Sequence, residues 1–157
     1  MADPDLIRAL SDLTLAVRGG LQMTTRSGDR SSDFFRPFAS LTTITGTTGD
    51  DIWTPASGAR FYLKGAYVLL VVHTALNATP GVRFDLIDSG SSKVIAPLGG
   101  AAPTAAAGTV ICAVRLDLAE GVKGSAVNAK VQIQASVTID SGKVSASGIL
   151  WGEELTA

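Results

Sequence analysis

Hydrophobic and polar residues alternate with a period of two over most of the chain after residue 40. The alternation is clearest in segments 82–88, 109–118 and 130–138, and Gly, Ser, Asn or Pro residues lie between these segments. A period of two is typical of β-strands with one buried face. Segment 66–72 is apolar throughout, which predicts a strand in the core of a β-sandwich.

Turn residues recur about every 8–12 positions and separate roughly seven to nine strand candidates. Gly65 is expected to end one strand before the apolar strand begins. No helical pattern lies between the strands, which excludes βαβ units. We therefore predict an all-β domain over residues 41–157. A sandwich or barrel of jelly-roll or immunoglobulin-like type fits, and we favour an antiparallel, jelly-roll-like β-sandwich, although the sequence does not give the strand order.

A different pattern precedes this domain. Residues 1–22 predict a short α-helix, because Asp3 can cap its start and Pro4 suits the first helical position. Apolar residues follow at alternating spacings of four and three, and Gly19 and Gly20 end the pattern. The residues of this seam are Leu6, Leu10, Leu13 and Val17. The seam packs either on the chain's own domain or against symmetry mates or a neighbouring protein.

Residues 23–40 are rich in Ser, Thr, Arg and Asp, which predicts an extended linker. Three of the chain's five Phe residues, Phe34, Phe35 and Phe38, lie at its end. Pro37 excludes a regular helix or a central strand there. We interpret the three Phe side chains as an aromatic anchor, which fills either the base of its own domain or a groove on another subunit.

Composition limits the possible partners. The chain has 157 residues, enough for one domain, with 46% hydrophobic residues, 17% charged residues and a formal charge of −1. The absence of a basic excess argues against nucleic-acid binding. The longest apolar run is far shorter than the roughly 20 residues of a membrane-spanning helix, and the acidic start lacks the basic region of a signal peptide. The mean hydropathy of +0.31 predicts that other subunits cover some apolar surface.

Few residues suit catalysis or metal binding. The chain has one Cys and one His, which excludes a Cys-based zinc site and a multi-His site. Catalysis by His73 would need Ser89, Ser91 or Asp88 nearby, and the sequence has no Gly-x-Ser-x-Gly turn. Cys112 is expected to be a buried, inert thiol. We expect no enzyme activity, no catalytic residue, no cofactor and no metal site.

The sequence offers two further candidate binding sites, one for Ca²⁺ and one for a sugar. Asp50 and Asp51 lie on a glycine-rich turn that could contribute to Ca²⁺ binding, but no calcium-binding motif surrounds them. Exposed aromatic residues could form a sugar-binding platform. The candidates for it are Trp53, Tyr62, Tyr67 and Trp151.

Residues 45–65, TGTTGDDIWTPASGARFYLKG, resemble the opening of small β-sandwich virion proteins of tailed bacteriophages. The resemblance continues through Asp88-Ser89-Gly90 to Trp151-Gly152-Glu153 and covers residues 41–155. It implies a head decoration protein, a head spike or fibre, or a tail appendage. Such proteins are commonly trimers, and a helix and linker would attach the sandwich to the particle.

The sequence therefore predicts a non-enzymatic structural protein of a phage or phage-like virion. Capsid decoration or a head-spike or fibre component is favoured. The expected partners are further copies of the chain, with a trimer favoured, and other virion proteins. The alternative is a carbohydrate- or receptor-binding module of a virion tail or a cell surface.

Overall fold

The structure is a computed structural model of the chain. It describes the backbone of residues 30–78 and 81–156. Side chains are described for residues 44–78 and 81–156. The helix predicted over residues 1–22 lies outside the described residues, and so do its seam residues Leu6, Leu10, Leu13 and Val17.

The described residues form nine β-strands and no helix, which confirms the all-β prediction. The described part of the chain therefore has no helix long and apolar enough to cross a membrane. In chain order, the strands are β1 (Arg30–Ile44), β2 (Asp50–Trp53), β3 (Ala59–Asn77), β4 (Val82–Asp88), β5 (Lys93–Ala101), β6 (Thr104–Ala105), β7 (Val110–Lys123), β8 (Val131–Ala135) and β9 (Ser141–Thr156).

These strands make two sheets. The large sheet has the order β1-β9-β3, and both β7 and the two-residue β6 pair with the other edge of β3. The small sheet has the order β2-β8-β4-β5. The pairings with described registers are all antiparallel. The predicted antiparallel arrangement is confirmed, and β3 is the long central strand of the large sheet.

One hydrophobic cluster contains buried side chains from both sheets. Phe61, Val68 and Leu70 of β3 belong to it together with Phe84 of β4 and Ile133 of β8, and all five are fully buried. In each strand every second residue points to the same side, and the register shift between Leu63 and Gly65 lets Phe61 and Val68 of β3 face the same core. The alternation seen in the sequence therefore identifies the core-facing residues of β8 and most of those of β4.

Gly65 does not end a strand, contrary to the sequence-based expectation. Strand β3 continues through it, and the register with both neighbours shifts between Leu63 and Gly65. A Cβ atom at residue 65 would collide with the indole of Trp151 on the paired β9 strand. Glycine is present because an aromatic ring on the neighbouring strand occupies the space of its side chain.

Strand β1 covers Arg30–Ile44 and therefore includes residues 30–40 of the predicted linker. Phe34, Phe35 and Phe38 lie in this strand, which is at the edge of the large sheet beside β9. Pro37 is tolerated there because an edge strand has one side whose N–H groups need no ladder partner. An extended linker and an edge strand share one backbone conformation, so the sequence pattern alone does not separate them.

Strand β7 differs from the prediction in its burial. Val110, expected to point inward, is 59% exposed, whereas Cys112, Val114, Leu116 and Leu118 are half-buried and pack against the core cluster. Among the described strands, β7 pairs only with β3. One of its edges therefore lacks the covering neighbour that a central strand has, which explains the incomplete burial of the four half-buried residues. Val110 is more exposed because a register shift pairs it with Val71, which lies between the core-facing Leu70 and Val72 and so faces the opposite side.

Candidate functional site

The outer face of the large sheet carries a row of large apolar side chains. Val68, Leu70 and Val72 of β3 point into the core, so the residues between them point to the opposite face. These are Tyr67, Leu69 and Val71, which we call the apolar ridge. Tyr67 is 43% exposed and the other two are half-buried. The apolar run at 66–72 therefore serves both faces of the sheet, and only alternate residues lie in the core.

Small side chains flank Leu69 and Val71 of the ridge on the β9 side, whereas on the β7 side Val71 pairs with the exposed Val110. On β9, Ser147 pairs with Leu69 and Ser145 pairs with Val71, so both serines lie on the outer face beside the ridge. We call these two residues the serine row. The Ser145 hydroxyl donates a hydrogen bond to the carbonyl oxygen of Val71 at 3.2 Å. This hydroxyl already has an acceptor within the chain, so covering it would not leave its donor unsatisfied.

An aromatic and cationic cluster lies at the Gly65 end of the ridge. The Trp151 indole packs against Gly65, and the Arg115 guanidinium carbon lies 5.7 Å from the Trp151 ring centroid. Tyr67 pairs with Ile149 on one side and with Arg115 on the other. These side chains line a shallow depression of about 470 Å³.

Ion pairs lie close to this cluster. Lys64 pairs with Glu153 across β3 and β9, and Arg115 Nε lies 3.1 Å from Asp117 Oδ2 on β7. The two pairs contribute two positive and two negative charges to the same end of the face. A second depression of about 290 Å³ lies beside Lys64 and Asp117, where Tyr62 donates a hydrogen bond to the Glu120 carbonyl oxygen. The charged end of the outer face therefore has no net charge from these four side chains.

The small sheet has a polar outer face. Asp51 pairs with Lys130 and accepts a hydrogen bond from Gln132 Nε2 at 2.6 Å. Gln134 Nε2 donates to the Thr47 carbonyl oxygen at 2.5 Å. These side chains have their hydrogen-bond partners within the chain, so this face differs in character from the apolar ridge.

A second ion pair lies on the same polar face. Arg83 Nε is 3.0 Å from both carboxylate oxygens of Asp85, and Arg83 Nη2 is 2.9 Å from Oδ2. Hydrogen bonding to Asp85, together with its charge, raises the pKa of the Arg83 guanidinium above its usual value. The Arg83 charge is therefore matched by a neighbouring carboxylate on the same strand.

The predicted sugar-binding aromatics do not form one exposed platform. Trp53 is 3% exposed and packs edge-to-face on Phe61 with ring centroids 5.6 Å apart. The Trp151 indole packs on Gly65 and interacts with Arg115. These contacts already involve the ring on which a sugar would stack. Tyr67 is the most exposed of the aromatic candidates in the described residues.

The candidate catalytic residues lie on different sheets. His73 is exposed on β3 of the large sheet, whereas Asp88 ends β4 of the small sheet. Asp88 is 4% exposed and accepts hydrogen bonds from the backbone N–H groups of Gly90 at 2.8 Å and Ser125 at 2.7 Å. Ser89 Oγ accepts a hydrogen bond from the Lys130 N–H at 2.8 Å. Asp88 and Ser89 therefore hold two loops together at that end of the small sheet.

The surroundings of Cys112 and of the acidic turn at Asp51 favour a structural role for both. Burial raises the pKa of the half-buried Cys112 thiol above its usual range, which keeps the sulfur protonated at neutral pH. Within residues 30–78 and 81–156, no group of three or more His, Cys, Asp and Glu side chains could hold a metal ion. The Asp51 carboxylate, weighed as a Ca²⁺ ligand, is paired with Lys130 instead.

No protein-family model and no curated protein matches the chain. Among solved structures, the chain is similar to one described as the cyanophage Pam1 capsid asymmetric unit. The identity is 13%, the TM-score is 0.42, and the match covers 84% of this chain and 89% of that chain.

Proposed function

We propose that the chain is a non-enzymatic structural protein of a phage or phage-like virion. A capsid decoration protein or a head-spike or fibre component fits best. The observation that carries the proposal is the apolar ridge, because a sheet face that stays in water normally carries polar residues at alternate positions. Three successive outer positions of β3 are Tyr, Leu and Val. The face is suited to contact with another protein subunit, as a structural subunit of a particle requires.

We further infer that the two sheets form a jelly-roll-like β-sandwich. Two observations support this. Both sheets contribute to one hydrophobic cluster. With the two-residue β6 set aside, the orders β1-β9-β3-β7 and β2-β8-β4-β5 divide eight strands equally between two sheets, as in a double Greek key.

The N-terminal segment is the proposed attachment to the particle. Leu6, Leu10, Leu13 and Val17 form the contact face of its helix, and Phe34, Phe35 and Phe38 form the aromatic anchor. Many weak attachments on a symmetric shell give tight retention, so each single contact need not be strong. We propose self-association, with a trimer favoured, and contacts with other virion proteins, without nucleic acid, membrane, metal or cofactor.

Labelling of intact particles tests the virion proposal. Antibodies raised against the purified full-length chain are expected to decorate virions in immunogold electron microscopy of lysates from cells that produce the protein. Pre-incubation of the antibodies with the purified chain is the control and should abolish labelling. Labelling confined to cell debris, with bare virions in the same field, would contradict the proposal.

A variant pair tests the attachment. Leu6→Asp combined with Leu13→Asp places two charges in the predicted helix seam and is expected to lower the occupancy of the chain on purified particles at least tenfold. The matched control, Ser11→Asp combined with Thr14→Asp, adds the same charge outside the four seam residues. Full occupancy of the seam variant would show that the helix is not the attachment.

A further inference from the structure

We propose that the apolar ridge packs into the serine row of a second copy of this chain. This inference rests on the proposed function, because it names the partner of the same face. The ridge consists of Tyr67, Leu69 and Val71, and the serine row of Ser145 and Ser147 lies beside it on the neighbouring strand. One face therefore contains both a projecting row and a lower row, on neighbouring antiparallel strands with the same residue spacing.

Shape favours a second copy as the partner. Leu69 is paired with Ser147 on one side and with Ala113 on the other, so a large side chain stands between two small ones. A like face can place its own Leu69 and Val71 over the serines and receive the first copy's ridge over its own. Each copy then fills the lower row of the other, which is the reciprocal contact of a self-complementary interface.

Charge favours the same partner. The charged end of the face carries Lys64 with Glu153 and Arg115 with Asp117, each pair formed within the chain. Two positive and two negative charges attract neither a strongly acidic nor a strongly basic partner. A second copy presents the same balanced set, so it brings no excess of like charge to the contact.

The size of the face sets the strength of the contact. Three strands about 4.8 Å apart and about seven residues long present roughly 300–350 Å² of flat area. A standard interface buries about 800 Å² on each partner. This contact is therefore weak by itself, and its effect becomes strong only when several copies are held on one particle.

Sedimentation of the full-length chain tests the inference. Concentrations from about 10 µM to about 1 mM cover the range in which such a weak contact becomes populated. The wild-type chain is expected to gain mass with concentration. Leu69→Arg is expected to weaken this association at least tenfold, because it places a charge in the middle of the ridge. Ser147→Arg fills the serine row and should have the same effect, whereas Ser147→Ala should associate like the wild type.

Gln134→Arg is the matched control. Gln134 is half-buried on the outer face of the small sheet, as Leu69 is on the large sheet, and the substitution adds the same charge. It is expected to associate like the wild type. Thermal melts of each variant exclude unfolding, and a variant that melts at a much lower temperature is replaced by Leu69→Ser.

Three outcomes would overturn the inference. The wild-type chain could stay monomeric at every concentration, Leu69→Arg could associate as strongly as the wild type, or Gln134→Arg could lose association equally. A pair of copies supports the inference when the ridge variants abolish it, because a reciprocal contact closes with two copies. Virion labelling is measured separately, so labelled particles with a self-associating Leu69→Arg chain would reject the ridge contact and leave the proposed function intact.

Discussion

The outer faces of the two sheets differ, although both belong to one small β-domain. On the small sheet, Asp51, Lys130 and Gln132 form an ion pair and a hydrogen bond across neighbouring strands. On the large sheet, the central strand presents Tyr67, Leu69 and Val71. The polar side chains of the first face can stay hydrated, whereas covering the second face removes apolar surface from water. The difference identifies which face is suited to bind a protein.

The charged residues are also distributed differently over the outer faces of the two sheets. Only 17% of the residues are charged, and several of these are used in pairs on the small sheet and at the Gly65 end of the large one. None of the charged residues is among Tyr67, Leu69, Val71 and the two serines beside them. Four predictions test the contrast, from the largest expected effect to the smallest.

Leu69 and Leu70 are adjacent leucines that point to opposite faces of β3. Leu70→Ala is expected to lower the free energy of unfolding by about 2–5 kcal/mol, because Leu70 is fully buried in the core. Leu69→Ala should cost about 1 kcal/mol or less under dilute conditions. Urea unfolding measures both values. Equal losses would show that the ridge is covered as completely as the core, and the two faces would no longer differ.

Gly65 is where the large sheet accommodates an aromatic side chain. Gly65→Ala is expected to destabilise the fold by about 1–3 kcal/mol, because its Cβ would collide with the Trp151 ring and lie 2.6 Å from the Leu116 carbonyl oxygen. Gly46→Ala is the control, since its Cβ would be 3.5 Å from the nearest atom, at ordinary contact distance. Chemical denaturation compares the two, and similar stabilities would contradict the close packing of Trp151 on Gly65.

The polar face of the small sheet is expected to tolerate change. Asp51→Asn removes the ion pair with Lys130 and should cost about 0.2–1 kcal/mol, since half-exposed pairs contribute little. The loss should shrink in about 1 M salt, where the Debye length is about 3 Å. Glu120→Gln removes the same charge elsewhere and serves as the reference. A salt-independent loss above about 2 kcal/mol would mean that Asp51 is part of a desolvated network.

The alkylation rate of Cys112 measures how well the inner side of the large sheet is protected from solvent. Because burial raises the pKa of its thiol, alkylation by iodoacetamide at neutral pH should be slower than for a free thiol and should accelerate as the pH rises towards that pKa. The neutral thiol is the form favoured by folding, so its contribution to stability is present at neutral pH and is lost as the pH rises through the raised pKa.

Labelling under native and denaturing conditions provides the control for this measurement. Rapid labelling of the native chain at neutral pH would contradict the half-buried position of Cys112. Cys112→Ala should leave the ridge and its self-association unchanged, because Cys112 packs against the core cluster rather than on the outer face.

Local strand positions were predictable from residue pattern. The alternating segment at 82–88 is strand Val82–Asp88, and the alternation of Val131, Ile133 and Ala135 places these three residues in the core. Two predictions about single residues were wrong. Gly65 continues a strand because the Trp151 ring on β9 takes the place of a side chain. Val110 is exposed because the register shift between Leu70 and Val71 pairs it with Val71, which lies on the outer face.

The candidate surface needed the structure. The uninterrupted apolar run at 66–72 predicts a strand that is buried as a whole in the core. Once Val68, Leu70 and Val72 are known to face inward, the residues between them must face outward. The run was therefore the available signal for an outer apolar face, but an apolar run does not say how many of its faces are covered by the same chain.

The sequence by itself determined the all-β class and most strand positions, because the period of two and the turn residues act over a few neighbouring residues. Tertiary structure alone decided that β9 and β7 lie on either side of β3, and hence that Ser147, Leu69 and Ala113 meet on one face. Such pairings join residues far apart in the chain. Their register depends on the packing of whole strands, and no local pattern encodes it.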